Sequence, residues 1–401
     1  MEHLLSERLA AINPSPSAAA NALVTQLRAA GHDIVNLTIG EPDFDTPEHI
    51  NQAASDAIRR GDTHYTPTPG TVGLRQAVIE KLARDNGLEY RLDEVVIGCG
   101  GKHVIFHALA ATLNPGDEVI IPAPYWVSYP DLVKLHGAQP VIVVGEKDNC
   151  LKMSAAQLAQ SITPRTKWVI LNSPNNPTGS VYSEAELAAL AEVLENYPNV
   201  LVMADEIYEH FVFDGVTHTS LVKVAPQLKD RTLIVNGASK GYAMTGWRIG
   251  FGAGPGKLIQ SIVKLLSQTT SCPSSVSQAA AVAAFAGDQA PVKAMAESYA
   301  LRRAQIVEGL SGIKGLAFDV PEGAFYVYAD VSGAIGLETP QGKVVENDTD
   351  LVRYLVEYGG VATVTGSAFG LSPYIRISFA GDEIAIREGC RRIKKSMSEL
   401  S

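Results

Sequence analysis

Lys240 and Arg248, eight residues apart, have the types and spacing that could hold a reactive ligand. A β-branched run at residues 232–236 precedes Lys240 and predicts a buried strand that stops at Gly237. Ligands of open α/β sheets bind outside the carboxyl ends of such strands. A partly desolvated lysine at that place can lose its proton and attack an aldehyde, and an arginine fork suits a phosphate. Since most lysines are solvated surface residues, other strand ends must carry matching chemistry.

Asp205 follows directly after the apolar run of residues 200–204, which predicts another buried strand. A carboxylate at the edge of the core needs a cationic or hydrogen-bonding partner, and a protonated pyridine nitrogen is such a partner. Tyr208, three residues later, can bring a phenol to the same ring. The alternative is that Asp205 only caps the segment that follows.

Three further predicted strands end in residues that suit a flat, phosphorylated ligand. Gly100 and Gly101 open a predicted helix whose free N–H groups can bind phosphate, although a tight turn would use the same residues. Trp126 offers a face on which a ring can stack, or it is a core residue. Asn176 lies in a rigid turn that can aim its amide at a polar ring atom. Together, the five strand ends indicate pyridoxal phosphate, a planar, phosphorylated pyridine aldehyde.

Gly40, Arg376 and Tyr65 extend the predicted site toward a substrate and a partner. Gly40 ends the predicted strand 34–39 and allows close approach of a ligand, or it begins a simple turn. Arg376 lies on the polar face of the alternating strand 374–379 and can bind a carboxylate bidentately, unless it is a surface arginine. Tyr65 lies in a proline-rich loop, either as surface or reaching toward a second subunit.

Composition excludes several classes of protein. The 401 residues, 46% hydrophobic and 19% charged, predict two domains with a large core. A net charge of -10 argues against a nucleic-acid partner. The four scattered cysteines predict neither a disulfide framework nor a metal site. The first twenty residues lack the long apolar stretch of a signal peptide or membrane span, so we expect no membrane partner and a cytoplasmic location.

The helices and strands that must position these residues alternate along the chain, which predicts an α/β fold. A helix-rich stretch follows at residues 257–310, and an α+β region ends the chain. The glycine-rich residues 249–257 do not form a nucleotide loop, because Phe251 and Leu258 stand where that motif needs Gly and Ser or Thr. The other predicted helices are 4–12, 18–30, 74–86, 103–113 and 184–196, and the other predicted strands are 94–98, 118–122 and 167–171.

From about residue 4 to 392 the chain resembles the fold type I pyridoxal-phosphate aminotransferases, and within them the bacterial aspartate aminotransferases of the non-animal subgroup. The most specific motifs are residues 173–179, 205–208 and 239–250. The resemblance implies a homodimer with shared active sites. It also implies a large domain at 48–300, with a mostly parallel seven-stranded sheet between helices. A smaller α+β domain is expected at 301–401, with an N-terminal arm and part of the small domain at 1–47.

The resemblance also implies a role for each site residue. Lys102, with Ser15 and Ser17, would meet the distal carboxylate of a dicarboxylic substrate, although Lys102 is otherwise just a charge in the first turn of a helix. Gly237 departs from many relatives, which have a phosphate-binding serine there. The implied catalytic residues are Lys240, Asp205 and Tyr208; the cofactor-binding residues are these three with Gly100, Gly101, Lys102, Trp126, Asn176, Ser239, Arg248 and, from the partner subunit, Tyr65; the substrate-binding residues are Gly40, Trp126, Asn176, Arg376, Lys102, Ser15 and Ser17.

The expected reaction is ping-pong transamination between amino acids and 2-oxo acids, with L-aspartate and 2-oxoglutarate giving oxaloacetate and L-glutamate. Alternatives on the same fold are an aromatic or prephenate aminotransferase and a β-eliminating lyase. From other classes, a cofactor-sensing regulator lacks room for a DNA-binding module, and a nucleotide-binding protein lacks its loop. Relatives also suggest that the Ala123–Pro124 and Asn176–Pro177 peptide bonds are cis.

Overall fold

A seven-stranded sheet forms the centre of the computed structural model, which describes residues 4–14 and 16–401. The strands are β1 Val35–Asn36, β2 Val95–Gly98, β3 Glu118–Ala123, β4 Gln139–Val144, β5 Thr166–Asn172, β6 Leu201–Asp205, β7 Thr232–Gly237, β8 Gly250–Ala253, β9 Ala317–Phe318, β10 Tyr326–Asp330, β11 Val361–Ala362, β12 Val364–Thr365 and β13 Tyr374–Ser378. The helices are α1 Pro16–Ala29, α2 Glu48–Arg60, α3 Val72–Lys81, α4 Gly101–Thr112, α5 Tyr129–Leu135, α6 Ala155–Ser161, α7 Glu184–Glu195, α8 Leu221–Val224, α9 Gly256–Leu266, α10 Ser275–Ala286, α11 Ala290–Leu310, α12 Asp348–Glu357 and α13 Glu383–Ser398.

The central sheet has the strand order β2-β8-β7-β6-β5-β3-β4, and β8 alone runs antiparallel to its neighbours. Its inner strands β5, β6 and β7 are buried on both faces, as their continuous apolar sequences require. Helices α4, α5 and α9 pack on one face, and α3, α6, α7 and α10 pack on the other. The predicted α/β fold with a mostly parallel seven-stranded sheet is confirmed.

A smaller antiparallel sheet, β12-β13-β10-β9, has its own core. Helix α11 belongs to both cores, since Val292 packs with the central sheet while Tyr299 and Leu310 pack with the smaller one. The change from one core to the other therefore occurs inside a continuous helix. The domain boundaries at residues 48 and 300 stay predictions.

The structure differs from the predicted elements mainly near the chain's beginning. Pairing of the predicted strand 34–39 is limited to β1 and the adjoining Leu37, because the carbonyl group of Thr38, like that of the following Gly40, accepts a hydrogen bond from a side chain instead of a neighbouring strand. The predicted helix 4–12 is a 3₁₀ turn at Glu7–Ala11, and the predicted helix 74–86 ends in a π turn at Leu82–Asn86.

Among the described residues the cis peptide bonds are Ala123–Pro124, Ser173–Pro174 and Ser372–Pro373. The expectation that the Asn176–Pro177 peptide bond is cis is therefore wrong, and that for Ala123–Pro124 is confirmed.

Within residues 4–14 and 16–401, none of the helices has the length and apolar character needed to cross a bilayer.

A buried ion pair lies next to the Asp205–Tyr208 turn, at Glu209. Lys81 Nζ contacts the Glu209 carboxylate, and the side chain of Lys81 is 1% exposed. Asn86 and Asn236 each donate a hydrogen bond of 2.7 Å to Glu209. Burial alone would raise the pKa of Glu209, but Lys81 and nearby histidines outweigh burial and hold the pKa well below its usual range. The pair joins α3 to the loop after β6.

We expect Lys81→Met to lower the free energy of unfolding by about 3–5 kcal/mol, because it leaves the Glu209 charge buried without its cation. Urea unfolding followed by tryptophan fluorescence measures the change. The matched control is Lys134→Met, which removes a partly exposed lysine from Asp131 and should cost less than about 1 kcal/mol. Equal effects of the two variants would contradict the prediction.

Candidate active site

A cavity of about 690 Å³ lies at the carboxyl ends of β5, β6 and β7, between the central sheet and the smaller sheet. Strand ends supply its floor, β10 and β13 supply one wall, and one face of α1 supplies another. The structure brings together here eleven of the residues that the sequence predicts for the site: Gly40, Gly101, Lys102, Trp126, Asn176, Asp205, Tyr208, Ser239, Lys240, Arg248 and Arg376.

Four predicted site residues lie elsewhere or are not described. Gly100 is the residue before α4 and contacts Arg248 from outside the cavity lining. Tyr65 is 91% exposed and does not line the cavity of this chain. Ser15 lies outside the described residues, as does the side chain of Ser17.

Lys240 lies three residues after β7, and its Nζ donates a hydrogen bond of 2.5 Å to the Gly40 carbonyl. The Nζ atom also lies 5.8 Å from the ring centroid of Tyr208. Burial lowers the pKa of Lys240 to about 8; Glu41 opposes this change, and Arg376 contributes to it. A sizeable fraction of the amine is therefore neutral near neutral pH, which a nucleophilic lysine needs.

Asp205 is the last residue of β6, and its carboxylate is held by donors from two segments. The hydroxyl of Tyr129 donates to Oδ2 at 2.6 Å, and the N–H of Ile207 donates to Oδ1 at 3.4 Å. Burial raises the pKa of Asp205 to about 6, while the Tyr129 hydrogen bond lowers it. The ionised carboxylate therefore depends on Tyr129, and a cation nearby would stabilise it further.

Asn172, the last residue of β5, links Asp205 with Asn176. Its Nδ2 donates to the Asp205 carbonyl and its Oδ1 accepts from the Asn176 N–H, both at 2.9 Å. Sequence reasoning missed Asn172 and Tyr129. A signal existed for each, since Asn172 directly precedes the 173–179 motif and Tyr129 lies three residues after Trp126.

Tyr326, on β10, is the third site residue that sequence reasoning missed. Its hydroxyl shares a hydrogen bond of 2.8 Å with the hydroxyl of Tyr208. Burial raises the pKa of Tyr208 well above its usual range, and the contact with Tyr326 adds to this. Both phenols therefore stay protonated; one proton forms their mutual hydrogen bond, and the other stays available to a ligand. No local pattern in the sequence relates residue 326 to residue 208.

The start of α4 and Arg248 form a subsite suited to an anion. Gly100 has φ +90°, and a Cβ added there would lie 2.5 Å from Arg248 Nη2, so the guanidinium occupies the space that a side chain would take. Arg248 Nη1 donates to the Thr245 carbonyl at 2.8 Å. The N–H groups at the start of α4 and the guanidinium can then share a phosphate group. Ser239 lines the same cavity and is 8% exposed.

Gly237, at the position where the family resemblance implies a serine in many members, lies against the backbone of β8. A Cβ on Gly237 would lie 2.8 Å from both Gly250 Cα and the Ile249 carbonyl oxygen. A Cβ on Gly250 would in turn overlap the backbone of Gly100 and Gly101. The three segments therefore stack backbone on backbone, and no side chain from residue 237 reaches the anion subsite.

Arg376, in the middle of β13, is a buried cation without a carboxylate partner among the described residues. Nη1 donates to Asn176 Oδ1 at 3.0 Å and Nη2 donates to the Thr38 carbonyl at 2.7 Å. Its buried Nε has no hydrogen-bond partner, and the guanidinium carbon lies 4.3 Å from the Tyr326 ring centroid. A buried guanidinium without an anion is costly, so this position suits an anionic ligand.

Lys102 is a second cation on the cavity wall, in the first turn of α4. Its Nζ lies 4.8 Å from the ring centroid of Trp126. Burial lowers the pKa of Lys102, and the charge of Arg248 lowers it further. The sequence indicated only Ser17 of α1, whereas the structure shows a cavity wall formed by this helix, where Asn21 Oδ1 accepts a hydrogen bond of 2.6 Å from the Thr38 hydroxyl.

The whole chain matches known enzymes in sequence. The family model described as "Aminotransferase class I and II" matches residues 32–393. The aspartate aminotransferase of Rhizobium meliloti is 48% identical over 396 residues, covering 99% of this chain and 97% of that protein. The aspartate/prephenate aminotransferase of Cereibacter sphaeroides is 49% identical over 397 residues, covering 99% of both.

Solved structures match the fold over the same extent. The crystal structure of the Rhizobium meliloti aspartate aminotransferase gives a TM-score of 0.96 at 47% identity, with 99% of each chain covered. The Thermus thermophilus aspartate aminotransferase with maleate gives a TM-score of 0.91 at 39% identity, covering 98% of this chain and 99% of that one. The match therefore includes both sheets and the cavity between them.

We expect Tyr129→Phe to raise the pKa of Asp205 above its value of about 6, because the variant removes a hydrogen bond that stabilises the charged carboxylate. Infrared titration of the cofactor-free protein measures the protonated-carboxyl band, which Asp205→Asn identifies by its loss.

The matched control is Tyr182→Phe, a buried tyrosine whose hydroxyl contacts the backbone of Met153 and no carboxylate. It should leave the titration of Asp205 unchanged. An unchanged pKa in Tyr129→Phe would show that Tyr129 does not stabilise the charge.

Proposed function

The chain belongs to the class I and II aminotransferases, which are pyridoxal-phosphate enzymes, and we propose from this that it transfers the amino group of L-aspartate to 2-oxoglutarate. The products are oxaloacetate and L-glutamate, formed in two half-reactions at one site. One observation carries the proposal: the unpaired, buried guanidinium of Arg376 opens onto the same cavity as Lys240. An amino acid whose α-carboxylate binds Arg376 then has its amino group in the cavity that contains the lysine.

The residues around the cavity fit pyridoxal phosphate. We propose that Asp205 pairs with the pyridine nitrogen, as its need for a cationic partner supports. Tyr208 and Asn176 contact the ring hydroxyl, and Trp126 stacks on the ring. The Arg248 guanidinium, which lies against Gly100 where a Cβ would clash with it, and the N–H groups at the start of α4 together support phosphate binding beside them. The phosphate contacts in this proposal come from Gly100, Gly101, Ser239 and Arg248.

Bound pyridoxal phosphate supplies an electron sink that stabilises negative charge at the substrate Cα. The chain's own residues supply the rest of the chemistry. Lys240 would bind the cofactor through Nζ, and once released it would take the proton from the substrate Cα and deliver it to the cofactor carbon C4′. Its lowered pKa supports this role, because a base works best with a pKa near the operating pH. Asp205, held ionised by Tyr129, keeps the pyridine nitrogen protonated.

A dicarboxylic donor is supported by Lys102, an exposed cation on the cavity wall without an acidic partner among the described residues. We propose that Lys102 meets the distal carboxylate of aspartate or glutamate, together with Ser15 and Ser17. Prephenate or aromatic amination is the second candidate, favoured by the name of the Cereibacter sphaeroides relative.

We also propose a cytoplasmic homodimer in which Tyr65 completes the site of the partner subunit. The loop of Tyr65 is fixed, since Gln278 donates to the Thr66 hydroxyl at 2.8 Å and the Thr66 N–H donates to Cys272 Sγ at 3.4 Å. A tyrosine that is 91% exposed on a fixed loop has a surface available for a second chain. The free cysteines and acidic composition support the cytoplasm.

The visible spectrum of the purified protein tests the proposed reaction. We expect a yellow cofactor band that L-aspartate bleaches and 2-oxoglutarate restores. A protein that stays colourless after incubation with pyridoxal phosphate contradicts the proposed function. The second candidate is favoured if aspartate does not bleach the band but aromatic amino acids do, or if glutamate bleaches it and prephenate restores it. Release of pyruvate from cysteine conjugates would indicate a lyase.

Arg376→Ala links this test to the residue that carries the proposal. The variant should need at least about tenfold more L-aspartate for half bleaching, because a charged, bidentate contact is lost. Arg353→Ala, on the surface of α12, is the control and should match the wild type. A normal aspartate requirement in Arg376→Ala would remove Arg376 from the substrate site.

We expect the rate of cofactor uptake by the cofactor-free protein to rise with pH and to level off above about pH 8. The neutral amine of Lys240 is the nucleophile, and its fraction grows as pH passes its pKa of about 8. Stopped-flow absorbance measures the rate. Glu41→Gln removes a charge that raises this pKa, so its profile should move to lower pH. A profile that stays flat between pH 6 and 9 would contradict the assignment to Lys240.

A further inference from the structure

The segment Lys240–Arg248 has an unusual backbone, and the hydrogen bonds between its own backbone groups are long. Ala243 and Arg248 have φ values of 51° and 59°, in the left-handed region that residues other than glycine rarely occupy. Within the segment, the N–H of Ala243 donates to the Lys240 carbonyl at 3.2 Å and that of Trp247 donates to the Met244 carbonyl at 3.3 Å. Contacts from outside must therefore hold this conformation.

Cys99 and Gln289 supply two such contacts, since Arg248 Nη2 donates to the Cys99 carbonyl at 3.3 Å and the Tyr242 hydroxyl donates to Gln289 Oε1 at 2.9 Å. The loop of residues 40–46 supplies several more, and Thr46 makes two of them. The Thr46 hydroxyl donates to the Ala243 carbonyl at 2.7 Å and accepts from the Trp247 indole N–H at 3.0 Å. One hydroxyl group thus joins the left-handed Ala243 to the turn that precedes Arg248. Two further bonds join the same segments: Lys240 Nζ to the Gly40 carbonyl, and the Thr245 hydroxyl to the Glu41 carboxylate at 2.6 Å.

The loop that carries Thr46 is itself anchored. Arg302, on α11, donates to the Asp43 carboxylate at 2.6 Å, and its guanidinium lies 4.7 Å from the ring centroid of Phe44. The Thr46 carbonyl accepts a hydrogen bond of 2.9 Å from Asn51, in the first turns of α2. Thr46 is therefore a fixed point from which the conformation of the segment can be set.

We propose that Thr46 is a positioning residue for the cofactor, because its hydroxyl holds the Lys240–Arg248 segment in the conformation that binds pyridoxal phosphate. The proposal rests on the proposed function, in which Lys240 and Arg248 contact the cofactor. Thr46 itself does not line the cavity. Its effect is on the placement of the amine and the guanidinium relative to each other.

The test compares Thr46→Val, which keeps the shape and removes the hydroxyl, with Thr46→Ser, which keeps the hydroxyl. Titration of the full-length, cofactor-free proteins gives the dissociation constant for pyridoxal phosphate, and circular dichroism of the bound cofactor reports its orientation. The loss of two hydrogen bonds should weaken binding about tenfold in Thr46→Val and alter the cofactor signal. Thr46→Ser should stay within about twofold of the wild type.

Thr112 provides a matched control elsewhere in the molecule. Its hydroxyl also donates to a backbone carbonyl, that of Ala108, at 2.7 Å and accepts from a tryptophan indole, that of Trp168, at 2.8 Å. Thr112→Val removes the same two kinds of hydrogen bond away from the cavity. It should change thermal stability as Thr46→Val does, while leaving cofactor affinity and the circular dichroism signal unchanged.

The proposal would be overturned if Thr46→Val bound pyridoxal phosphate with the wild-type dissociation constant and gave the wild-type circular dichroism signal. It would also be overturned if Thr112→Val weakened cofactor binding equally, because the effect would then be a general one on stability. If Thr46→Val does not fold, Trp247→Phe decides, because it removes only the indole donor; an unchanged dissociation constant there also overturns the proposal. Wild-type protein that binds no pyridoxal phosphate contradicts the proposed function instead, so the two failures are distinguishable.

Discussion

Desolvation of the cavity is the physical effect on which the candidate site depends. It lowers the pKa of Lys240 to about 8 and raises that of Asp205 to about 6, so the two values approach each other across neutral pH. Neither change would arise on an exposed strand end. The helices on both faces of the central sheet bury the strand ends, and the smaller sheet closes the remaining side with Tyr326 and Arg376. The cores of the central sheet and of the smaller sheet are thus both needed to shift the pKa values of Lys240 and Asp205.

The cavity also uses backbone groups that regular structure would otherwise occupy. Thr38 and Gly40 follow β1 directly, yet their carbonyl groups accept hydrogen bonds from Arg376 and Lys240. The first strand is short for this reason, and the loop after it gains two fixed contacts with the site. Local irregularity here has a function, because a longer β1 would leave both cations without these acceptors.

Sequence reasoning placed the fold correctly because parallel strands bring their carboxyl ends to one edge, and it placed the family correctly from the motifs at residues 173–179, 205–208 and 239–250. Lys240, Asp205 and Asn176 could be grouped from strand ends alone, since each follows a recognisable apolar run. Tyr326 could not, because its contact with Tyr208 joins segments 118 residues apart and depends on how the second sheet packs. The partner of Tyr65 and the part of the site near Ser15 and Ser17 stay predictions, as do the individual roles of the site residues.

The stacked backbones of Gly101, Gly237 and Gly250 limit how this enzyme can be redesigned or can diverge. A protein engineer who wished to place a serine at position 237 would first have to separate β7 from β8. Moving β8 would displace the start of α4, where the anion subsite lies. The three positions are therefore coupled: a side chain can be added at one of them only if the spacing between the strands also changes. Tighter phosphate binding is more accessible through residues on the rim of the subsite than through its floor.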